Sequence, residues 1–456
     1  MRKVKIAILG AGSAGLTALS KVRQHTDDFV LIQDGPLGTT CARVGCMPSK
    51  ALIHCAEQFH SRHQFYASGI DGAEALKLDS VVVMERVRRF RDRFTTGVQS
   101  SSTDTLKPEQ LILGRGHFIA PNIIDVSGER IQAERVIIAT GSHPVVPKEW
   151  QSLGSKLITS DDFFELQQLP KRIAVIGLGV IGLELGQALS RLGVEVIGFE
   201  QSSQLAGLQA EDTIRESIKW ISKSFPIYLG EAAEVTEEDG KVKVTVSSGC
   251  FEVDAVLATL GRRPNLDHLG LTELGITLDS KGMSDFNAST MQVEDLPVFI
   301  AGDVNNRRPV LHEATQDGRI AGQNAVAYPN VQSYARTTLM AVTFCDPQIA
   351  VFGQRLSELD AQEIVTVSFK LERNNGRAIV MDQDKGAIFL FADKATRCLL
   401  GGELVMPSAE HICHLLTWAV SQSLTVDQLL NMPFYHPVLE EAVESALSLL
   451  AEQLDK

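Results

Sequence analysis

Long apolar runs, cysteine and positive charge are all scarce in this sequence. No uninterrupted apolar stretch reaches about 18 residues, so we expect no membrane-spanning helix. The apolar opening breaks at Gly10, which favours a first strand over a signal peptide. Seven cysteines are scattered over 456 residues, as is typical of a reducing compartment, and we expect a cytoplasmic protein. With 43 basic against 56 acidic residues, the net charge of -13 argues against a nucleic-acid partner.

The composition is otherwise that of an ordinary globular protein, with 44% hydrophobic and 22% charged residues. A chain of 456 residues is too long for one hydrophobic core. We therefore expect roughly two to four domains.

A glycine-rich turn follows the first predicted strand. Gly10, Gly12 and Gly15 form a GxGxxG pattern ahead of a helical segment, and Phe29–Ile32 predicts a second strand. In such a βαβ arrangement the first glycine permits a tight turn, the second admits a pyrophosphate, and the third allows close packing. The acid expected to hold the ribose is replaced by Gln33, whose amide can still bond a hydroxyl. The pattern predicts a dinucleotide site.

The same pattern recurs at Gly177, Gly179 and Gly182, again between a strand and a helix. Here the second strand ends in Glu200, at the same offset from its turn as Gln33. A glutamate accepts bonds from a free ribose 2'-hydroxyl and repels a 2'-phosphate, so this unit is predicted to prefer NAD to NADP.

Two cysteines, Cys41 and Cys46, precede a helical pattern over Ala51–His60. Pro48 suits the first turn of a helix, so Cys46 is expected near a helix N-terminus that favours a thiolate. The spacing indicates a redox site, with two buried structural cysteines as the alternative.

The middle of the chain predicts helices and then strands. Ala51–Thr105 has a largely helical pattern with a basic face at Glu85–Arg93, which we interpret as solvated rather than as a docking patch. Leu111–Phe118 and Ile123–Val126 predict short antiparallel strands, and Arg135–Ser142 predicts a buried return strand.

Asp303 follows the buried strand Val298–Ala301. An aspartate at the carboxyl end of such a strand points into the ligand crevice of a doubly wound sheet. The alternative is an aspartate that caps a helix or a turn.

The C-terminal part changes character after about residue 335, where the glycine-rich signals stop. It predicts an α+β domain with helices over roughly 408–423 and 439–453 and with antiparallel strands at Ile364–Phe369, Ala378–Met381 and Ala387–Phe391. His411, Cys413 and His414 lack further ligands in the pattern, so no metal site is predicted.

Several short motifs follow one another along the chain. They are Thr40–Lys50 for TCxxxGCxPSK, Ala139–Ser142 for ATGS, Gly261–Pro264, Ala301–Asp303 for a flavin-binding GD, Asp346–Ala350 for DPEIA, and His436 with Glu441 for HPTxxE. With the two glycine-rich turns, they make the chain resemble the pyridine nucleotide-disulfide oxidoreductase family from end to end. Within that family it looks most similar to the dihydrolipoamide dehydrogenases.

The resemblance implies an α/β fold with two Rossmann-like domains, for FAD and NAD, and a C-terminal α+β dimerisation domain. We expect the FAD-binding domain over residues 1–145 and 266–335, the NAD-binding domain over 146–265, and the dimerisation domain over 336–456. It also implies a homodimer.

The resemblance implies site residues as well. Cys41 and Cys46 would form the redox disulfide, with Cys46 on the flavin side and Cys41 exchanging with substrate. Lys50 would lie next to the flavin with Glu184 as its partner, and His436, oriented by Glu441, would act as base across the dimer interface. Cofactor contacts are expected at Gly10, Gly12, Gly15, Gln33, Thr40, Lys50, Gly116, Thr140, Gly141, Asp303 and Leu311 for FAD, and at Gly177, Gly179, Gly182, Glu200 and Gly261 for NAD.

The implied reaction is oxidation of dihydrolipoamide by NAD, alone or within a 2-oxoacid dehydrogenase complex. Alternatives are an NADH-dependent reductase of another small disulfide, a soluble transhydrogenase, or a flavin-loaded docking subunit without turnover of its own. The intact cysteine pair weighs against a transhydrogenase, and a C-terminus without a cysteine pair disfavours mercuric reductase. Four departures from the family pattern bear on the substrate: Gln33, Thr39, Gln348 and Val438.

Overall fold

The computed structural model describes residues 1–279 and 282–456. The strands are β1 Arg2–Leu9, β2 Phe29–Gln33, β3 Leu111–Leu113, β4 Gly116–Ala120, β5 Ile123–Val126, β6 Glu129–Ile138, β7 Ser142–Pro144, β8 Leu157–Thr159, β9 Arg172–Ile176, β10 Glu195–Glu200, β11 Ile227–Leu229, β12 Glu234–Glu238, β13 Lys241–Val246, β14 Gly249–Val253, β15 Ala255–Ala258, β16 Arg262–Pro264, β17 Val298–Ile300, β18 Met340–Thr343, β19 Gln348–Gly353, β20 Ile364–Lys370, β21 Ala387–Asp393 and β22 Leu399–Met406.

The α-helices are α1 Ser13–Val22, α2 Thr40–Arg43, α3 Cys46–His60, α4 Ser80–Ser101, α5 Ser160–Phe163, α6 Val180–Arg191, α7 Glu211–Ile221, α8 Leu311–Ala327, α9 Gly376–Val380, α10 Ala409–Ser421, α11 Val426–Leu430 and α12 Glu441–Leu454. Short 3-10 helices cover Ser61–Gln64, Tyr66–Ser68, Ala73–Ala75, Thr103–Thr105, Pro108–Gln110, Lys148–Lys156, Leu271–Leu274, Asp303–Asn305 and Leu356–Glu358. No helix within residues 1–279 and 282–456 has the length and apolarity to cross a membrane.

The first sheet carries the first glycine-rich turn. Its strand order is β3-β2-β1-β6-β5-β4, with β17 also paired to β6. The strands around β1 run parallel, whereas β4, β5 and β6 form an antiparallel meander. Since β17 joins from far along the chain, this sheet is assembled from two stretches separated in sequence.

The second sheet carries the second turn. Its order is β11-β10-β9-β15-β8, and every one of these pairings is parallel. The antiparallel strands β12, β13 and β14 form a small sheet that follows β11 in the chain. The two turns thus stand on the parallel strands of two separate sheets, as a fold with two Rossmann-like domains requires.

The C-terminal sheet is antiparallel, with the order β18-β19-β22-β21-β20. Helices α10 and α12 pack against it, as does α7 of the second sheet's unit. The predicted α+β character of this region is confirmed. The domain boundaries at 145, 265 and 335 stay predictions.

Two predictions about strands are wrong. Residues 378–381 are not a strand: residues 378–380 belong to α9 and Met381 is its C-cap, because the Asn375 side chain accepts the Ala378 N–H and caps a helix there. Leu111–Phe118 is not one antiparallel strand: Gly114, at φ +152, separates β3, which pairs parallel with β2, from β4.

The two Rossmann-like units are anchored differently. In the first, α8 lies directly against α1, since a Cβ on Gly318 would come within 2.1 Å of the Ala14 carbonyl oxygen. In the second, the Asp346 carboxylate joins Arg191 of α6 and Lys385 at 2.5 Å each. The second unit also shares a buried apolar cluster with the C-terminal sheet, through Ile349, Val351 and Val405, so charge pairing and apolar packing act there together.

Candidate active site

One cavity of about 1140 Å³ receives both glycine-rich turns and the two cysteines. The predicted site residues that line it are Gly12, Thr40, Cys41, Cys46, Lys50, Gly141, Gly177, Gly179, Glu184, Glu200, Gly261, Asp303 and Leu311. The predicted residues that do not line it are Gly10, Gly15, Gln33, Gly116, Thr140, Gly182, His436 and Glu441. The fold therefore brings most of the predicted site to one place.

The thiol pair is held by two helices. Cys41 lies in the short α2, and Cys46 is the first residue of α3. Both are free thiols, and Cys46 is exposed to the cavity while Cys41 is partly buried. The hydrogen bond from the Cys41 thiol, with help from the Lys50 charge, lowers the pKa of Cys46 to about 7. The same bond and burial raise the pKa of Cys41 well above its usual range, so Cys46 is the more readily ionised of the two thiols.

Lys50 lies one helical turn beyond Cys46 and is paired with a buried glutamate. Its Nζ donates to the two carboxylate oxygens of Glu184 at 2.9 and 2.7 Å, and Glu184 is only 4% exposed. The Phe344 N–H donates to Glu184 Oε1 at 3.0 Å, and the Phe344 ring lies 4.4 Å from Lys50 Nζ. A buried carboxylate requires such a partner. The sequence analysis missed Phe344, although the DPEIA-like motif begins only two residues later.

The first turn has the backbone shape that a pyrophosphate needs. Gly10 has φ +107, and a Cβ there would lie 2.2 Å from the Ala139 carbonyl oxygen. Gly12 precedes α1 without any side-chain cap, and a Cβ there would meet no atom within 4 Å. The residues of this helix end, 12–14, line the cavity, and a helix N-terminus without a side-chain cap fits a dinucleotide phosphate.

Gln33 braces that turn. Its Oε1 accepts the Ala11 N–H at 2.6 Å, and its Nε2 donates to the Asp34 carbonyl at 2.6 Å. Gln33 is therefore bonded to the turn and its own loop, and it lies behind the residues that line the cavity.

The second turn repeats this geometry. Gly177 has φ +96 with Thr259 behind it, and Gly179 is as open as Gly12. Glu200 takes the place of Gln33, its Oε2 accepting the Leu178 N–H at 2.7 Å and its Oε1 the Ser202 N–H at 2.9 Å. Unlike Gln33, Glu200 lines the cavity.

Of the remaining predicted cofactor contacts, some line the cavity and others lie behind it, where they support the residues of the cavity wall. Asp303 faces the cavity and accepts the Ser142 hydroxyl at 3.0 Å, and it caps no helix. Thr140 is supporting, since its hydroxyl donates to the Asn265 carbonyl at 2.8 Å. Gly116 packs under the sheet, where a Cβ would lie 3.0 Å from Leu9 Cδ2. Leu311, 47% exposed, lies at the start of α8 on the cavity wall.

His436 and Glu441 form a pair away from the cavity of their own chain. His436 Nδ1 lies 2.8 Å from Glu441 Oε1, and the Val438 N–H donates to Glu441 Oε2 at 3.0 Å. The bond from His436 lowers the pKa of Glu441 below its ordinary value. An ionised Glu441 is an acceptor, so Nδ1 carries the proton and Nε2 of a neutral ring is free to accept one. The His436 side chain is 80% exposed, so both groups are open to a second chain.

No group of three or more His, Cys, Asp or Glu side chains in the described parts of the chain could hold a metal ion.

Two sheets whose parallel strands carry open glycine-rich turns around a thiol pair are the features of a dinucleotide-dependent disulfide oxidoreductase. Residues 4–318 match the family model "Pyridine nucleotide-disulphide oxidoreductase", and residues 339–447 match the dimerisation domain of that family. The chain belongs to this family. It is accordingly a flavoprotein enzyme that binds FAD and NAD(P), and its dimerisation domain supports a homodimer.

The relatives differ in what their names say they act on. The chain is 28% identical over 457 residues to dihydrolipoyl dehydrogenase of Geobacillus stearothermophilus, covering 96% of this chain and 94% of the relative. It is 29% identical over 442 residues to mercuric reductase of Lysinibacillus sphaericus, covering 93% of this chain and 78% of the relative. These names agree on the class of enzyme and differ in the substrate.

Solved structures share the fold along the whole chain. The HOCl-induced flavoprotein disulfide reductase RclA of Escherichia coli, in its Cu(II) complex, superposes with a TM-score of 0.84 at 22% identity, covering 99% of this chain and all of that one. LpdA of Mycobacterium tuberculosis gives 0.84 at 24% identity, covering 99% and 100%. The predicted fold class is confirmed.

Proposed function

We propose that the protein oxidises dihydrolipoamide with NAD, through a disulfide of Cys41 and Cys46 and bound FAD. The observation that carries this proposal is the thiol pair, which shares one cavity with the Lys50–Glu184 pair and both glycine-rich turns. Similarity to dihydrolipoyl dehydrogenases over 96% of the chain supports the choice of substrate.

The two cysteines divide the exchange reaction between them. A substrate thiolate attacks Cys41 Sγ, a substrate–Cys41 bond forms, the Cys41–Cys46 bond breaks, and Cys46 leaves as thiolate. The second substrate thiol then loses its proton and attacks the substrate sulfur bound to Cys41, and Cys41 leaves and takes up a proton. The substrate becomes the cyclic disulfide, and the enzyme holds a Cys41 thiol and a Cys46 thiolate. A good leaving group has a low pKa, and that of Cys46 is lowered to about 7.

Lys50 and Glu184 set the charge beside that thiolate. The Lys50 ammonium favours the Cys46 anion, and Glu184 holds the ammonium in place and neutralises part of it. FAD, when bound, supplies the two-electron chemistry that connects the thiol pair with NAD.

His436 is the base in this proposal, acting from the second copy of the chain. Its Nε2 takes the proton of the substrate thiol, and Glu441 stabilises the resulting imidazolium. The exposure of His436 and its absence from its own chain's cavity support this placement.

The second turn selects the nicotinamide substrate. Glu200 lines the cavity where a ribose is expected, and its carboxylate favours NAD over NADP. We further propose that the enzyme acts in the cytoplasm, alone or within a 2-oxoacid dehydrogenase complex; the scattered cysteines suit a reducing compartment.

Anaerobic titration of the FAD-loaded protein tests the proposal. Dihydrolipoamide should produce the long-wavelength band of a thiolate beside oxidised flavin, and NAD should remove it within the turnover time. The Cys41→Ser variant should lose the response to dihydrolipoamide, whereas Cys250→Ser, which alters an exposed thiol outside the cavity lining, should keep it. If NADH raises the band and dihydrolipoamide does not, the function is that of an NADH-dependent reductase of another small disulfide.

A further inference from the structure

A second carboxylate lies at the end of the cavity that carries Glu200. Glu231 lines the cavity together with Glu200 and Gln201. The Glu231 backbone N–H donates to the Glu200 carbonyl at 3.3 Å, so the two glutamates are direct neighbours on adjoining segments. No sequence motif pointed to Glu231, because β10 and the segment after β11 meet only in the folded sheet.

Two donors fix the Glu231 carboxylate. Its Oε2 accepts the Ser247 hydroxyl at 2.6 Å and the Ser248 N–H at 2.8 Å. These bonds, the hydroxyl bond foremost, lower the pKa of Glu231 below its ordinary value. Both serines belong to the turn between β13 and β14, so that hairpin holds an ionised carboxylate at the cavity rim.

The lysine and arginine side chains that line the cavity already form ion pairs with residues other than Glu200 and Glu231. In the described part of the chain, Lys50 and Arg262 are the lysine and arginine that line it. Lys50 pairs with Glu184, and Arg262 lies 2.9 Å from Asp161. The end that carries Glu200 and Glu231 therefore holds two negative charges, and the cavity's lysine and arginine are already paired.

We propose that Glu231 is a second determinant, with Glu200, of selectivity for dinucleotides with a free ribose 2'-hydroxyl. The inference rests on the proposed function, in which the second turn binds NAD. Glu200 supplies the acceptor for the hydroxyl, and Glu231 adds like-charge repulsion against a 2'-phosphate.

Calorimetric titration of the FAD-loaded, full-length protein with ADP-ribose and with 2'-phospho-ADP-ribose tests this without a thiol substrate or turnover. The wild type should bind ADP-ribose at least about 50-fold more tightly than 2'-phospho-ADP-ribose, because both carboxylates repel the added phosphate. Glu231→Gln keeps an amide oxygen for both serine donors and removes only the charge. It should reduce the ratio of the two affinities about fivefold, and added salt should shrink this difference from wild type.

Two matched variants separate charge from structure. Glu231→Asp keeps the charge and should retain most of the selectivity. Glu234→Gln makes the same charge change three residues further on, outside the cavity lining, and should shift the ratio less than about twofold.

Equal ratios for Glu231→Gln and Glu234→Gln would overturn the inference, as would a Glu231→Gln variant that weakens both ligands alike. If the wild type does not bind ADP-ribose, both the nucleotide site and the inference fail. If dihydrolipoamide is not a substrate but the ratios shift as expected, only the substrate proposal fails.

Discussion

The two glycine-rich turns are almost the same structure carrying different side chains. An added Cβ would lie 2.2 Å from a carbonyl at Gly10 and 2.4 Å at Gly177, and 1.9 Å at both Gly15 and Gly182. In each turn the residue after the first glycine donates its N–H to the side chain that ends the second strand, at 2.6 Å to Gln33 and 2.7 Å to Glu200. The backbone therefore sets the phosphate site, and one side chain sets the charge beside it.

The comparison shows that two features of a turn are independent. One is the hydrogen bond from the residue after the first glycine to the side chain that ends the second strand, and the other is the choice of nucleotide. Gln33 keeps the bond to the turn without a charge, and it lies behind the cavity lining. Glu200 keeps the same bond and also lines the cavity, where Glu231 adds a second charge. A neutral amide is enough to hold a turn in shape, whereas discrimination against a 2'-phosphate needs a carboxylate.

The largest expected effect comes from the third glycine of each turn. Gly15→Ala should yield protein without bound flavin, because the new Cβ overlaps the Gly10 carbonyl and pushes α1 away. Gly182→Ala should keep its flavin and lose at least about 100-fold in ADP-ribose affinity. Visible absorbance and calorimetry measure the two losses.

The control for this pair is Gly97→Ala in α4, where a Cβ meets no atom within 4 Å and flavin content should not change. Loss of flavin from Gly182→Ala to the same extent as from Gly15→Ala would contradict the division of the two turns between FAD and NAD.

The next effect concerns how the second unit is anchored. The buried Glu403 of β22 accepts the N–H groups of Gln209 and Ala210 and the Thr213 hydroxyl, and so caps α7 from the C-terminal sheet. Glu403→Ala removes the acceptor of the Gln209 and Ala210 N–H groups, while the Thr213 hydroxyl keeps the Ala210 carbonyl, and it should lower the free energy of unfolding by about 3 kcal/mol. Urea unfolding followed by circular dichroism measures it.

As the control, Glu372→Gln removes the exposed partner of Lys219 and should cost less than about 0.5 kcal/mol. Equal destabilisation by the two substitutions would show that Glu403 is no anchor.

A smaller effect, on the pKa of Cys46, is expected from changes to the Lys50–Glu184 pair. This pair joins the two units, because Lys50 lies on α3 after the first turn and Glu184 lies on α6 after the second. Lys50→Met removes a positive charge and should raise the pKa of Cys46 by about one unit, so the thiolate is lost at a higher pH. Glu184→Gln should lower it, and the thiolate should persist to more acidic pH.

Thiolate absorbance of the reduced protein against pH, with Cys41→Ser as reference, gives both midpoints. A shift of the two variants in the same direction would argue against this charge balance.

The smallest effect is expected from making the first turn resemble the second. Gln33→Glu strengthens the bond from the Ala11 N–H but loses the bond to the Asp34 carbonyl, so FAD release should change less than about twofold. Gln33→Ala should speed it, and flavin fluorescence after dilution follows both. Unchanged release from Gln33→Ala would mean that the amide does not brace the turn.

Sequence alone predicted the parts of the site that follow from local rules. A GxGxxG pattern between strand and helix requires its glycines for steric reasons, and Cys46 and Lys50, four residues apart, must share a helix face. The pairing of His436 with Glu441 was expected from the family resemblance, and the two residues lie in one loop and at the start of the helix that follows.

What the tertiary structure decided was contact between distant segments. Phe344 reaches the Lys50–Glu184 pair, Glu231 reaches Glu200, and Glu403 reaches α7, none of which any spacing within one segment predicts. Residues 378–380 are helical because Asn375 caps α9, although Ile379 and Val380 are β-branched. Steric and periodic rules act between residues that are close in sequence, so the sequence reveals them. Packing, burial and charge pairing form only when separate stretches of chain meet in the folded protein.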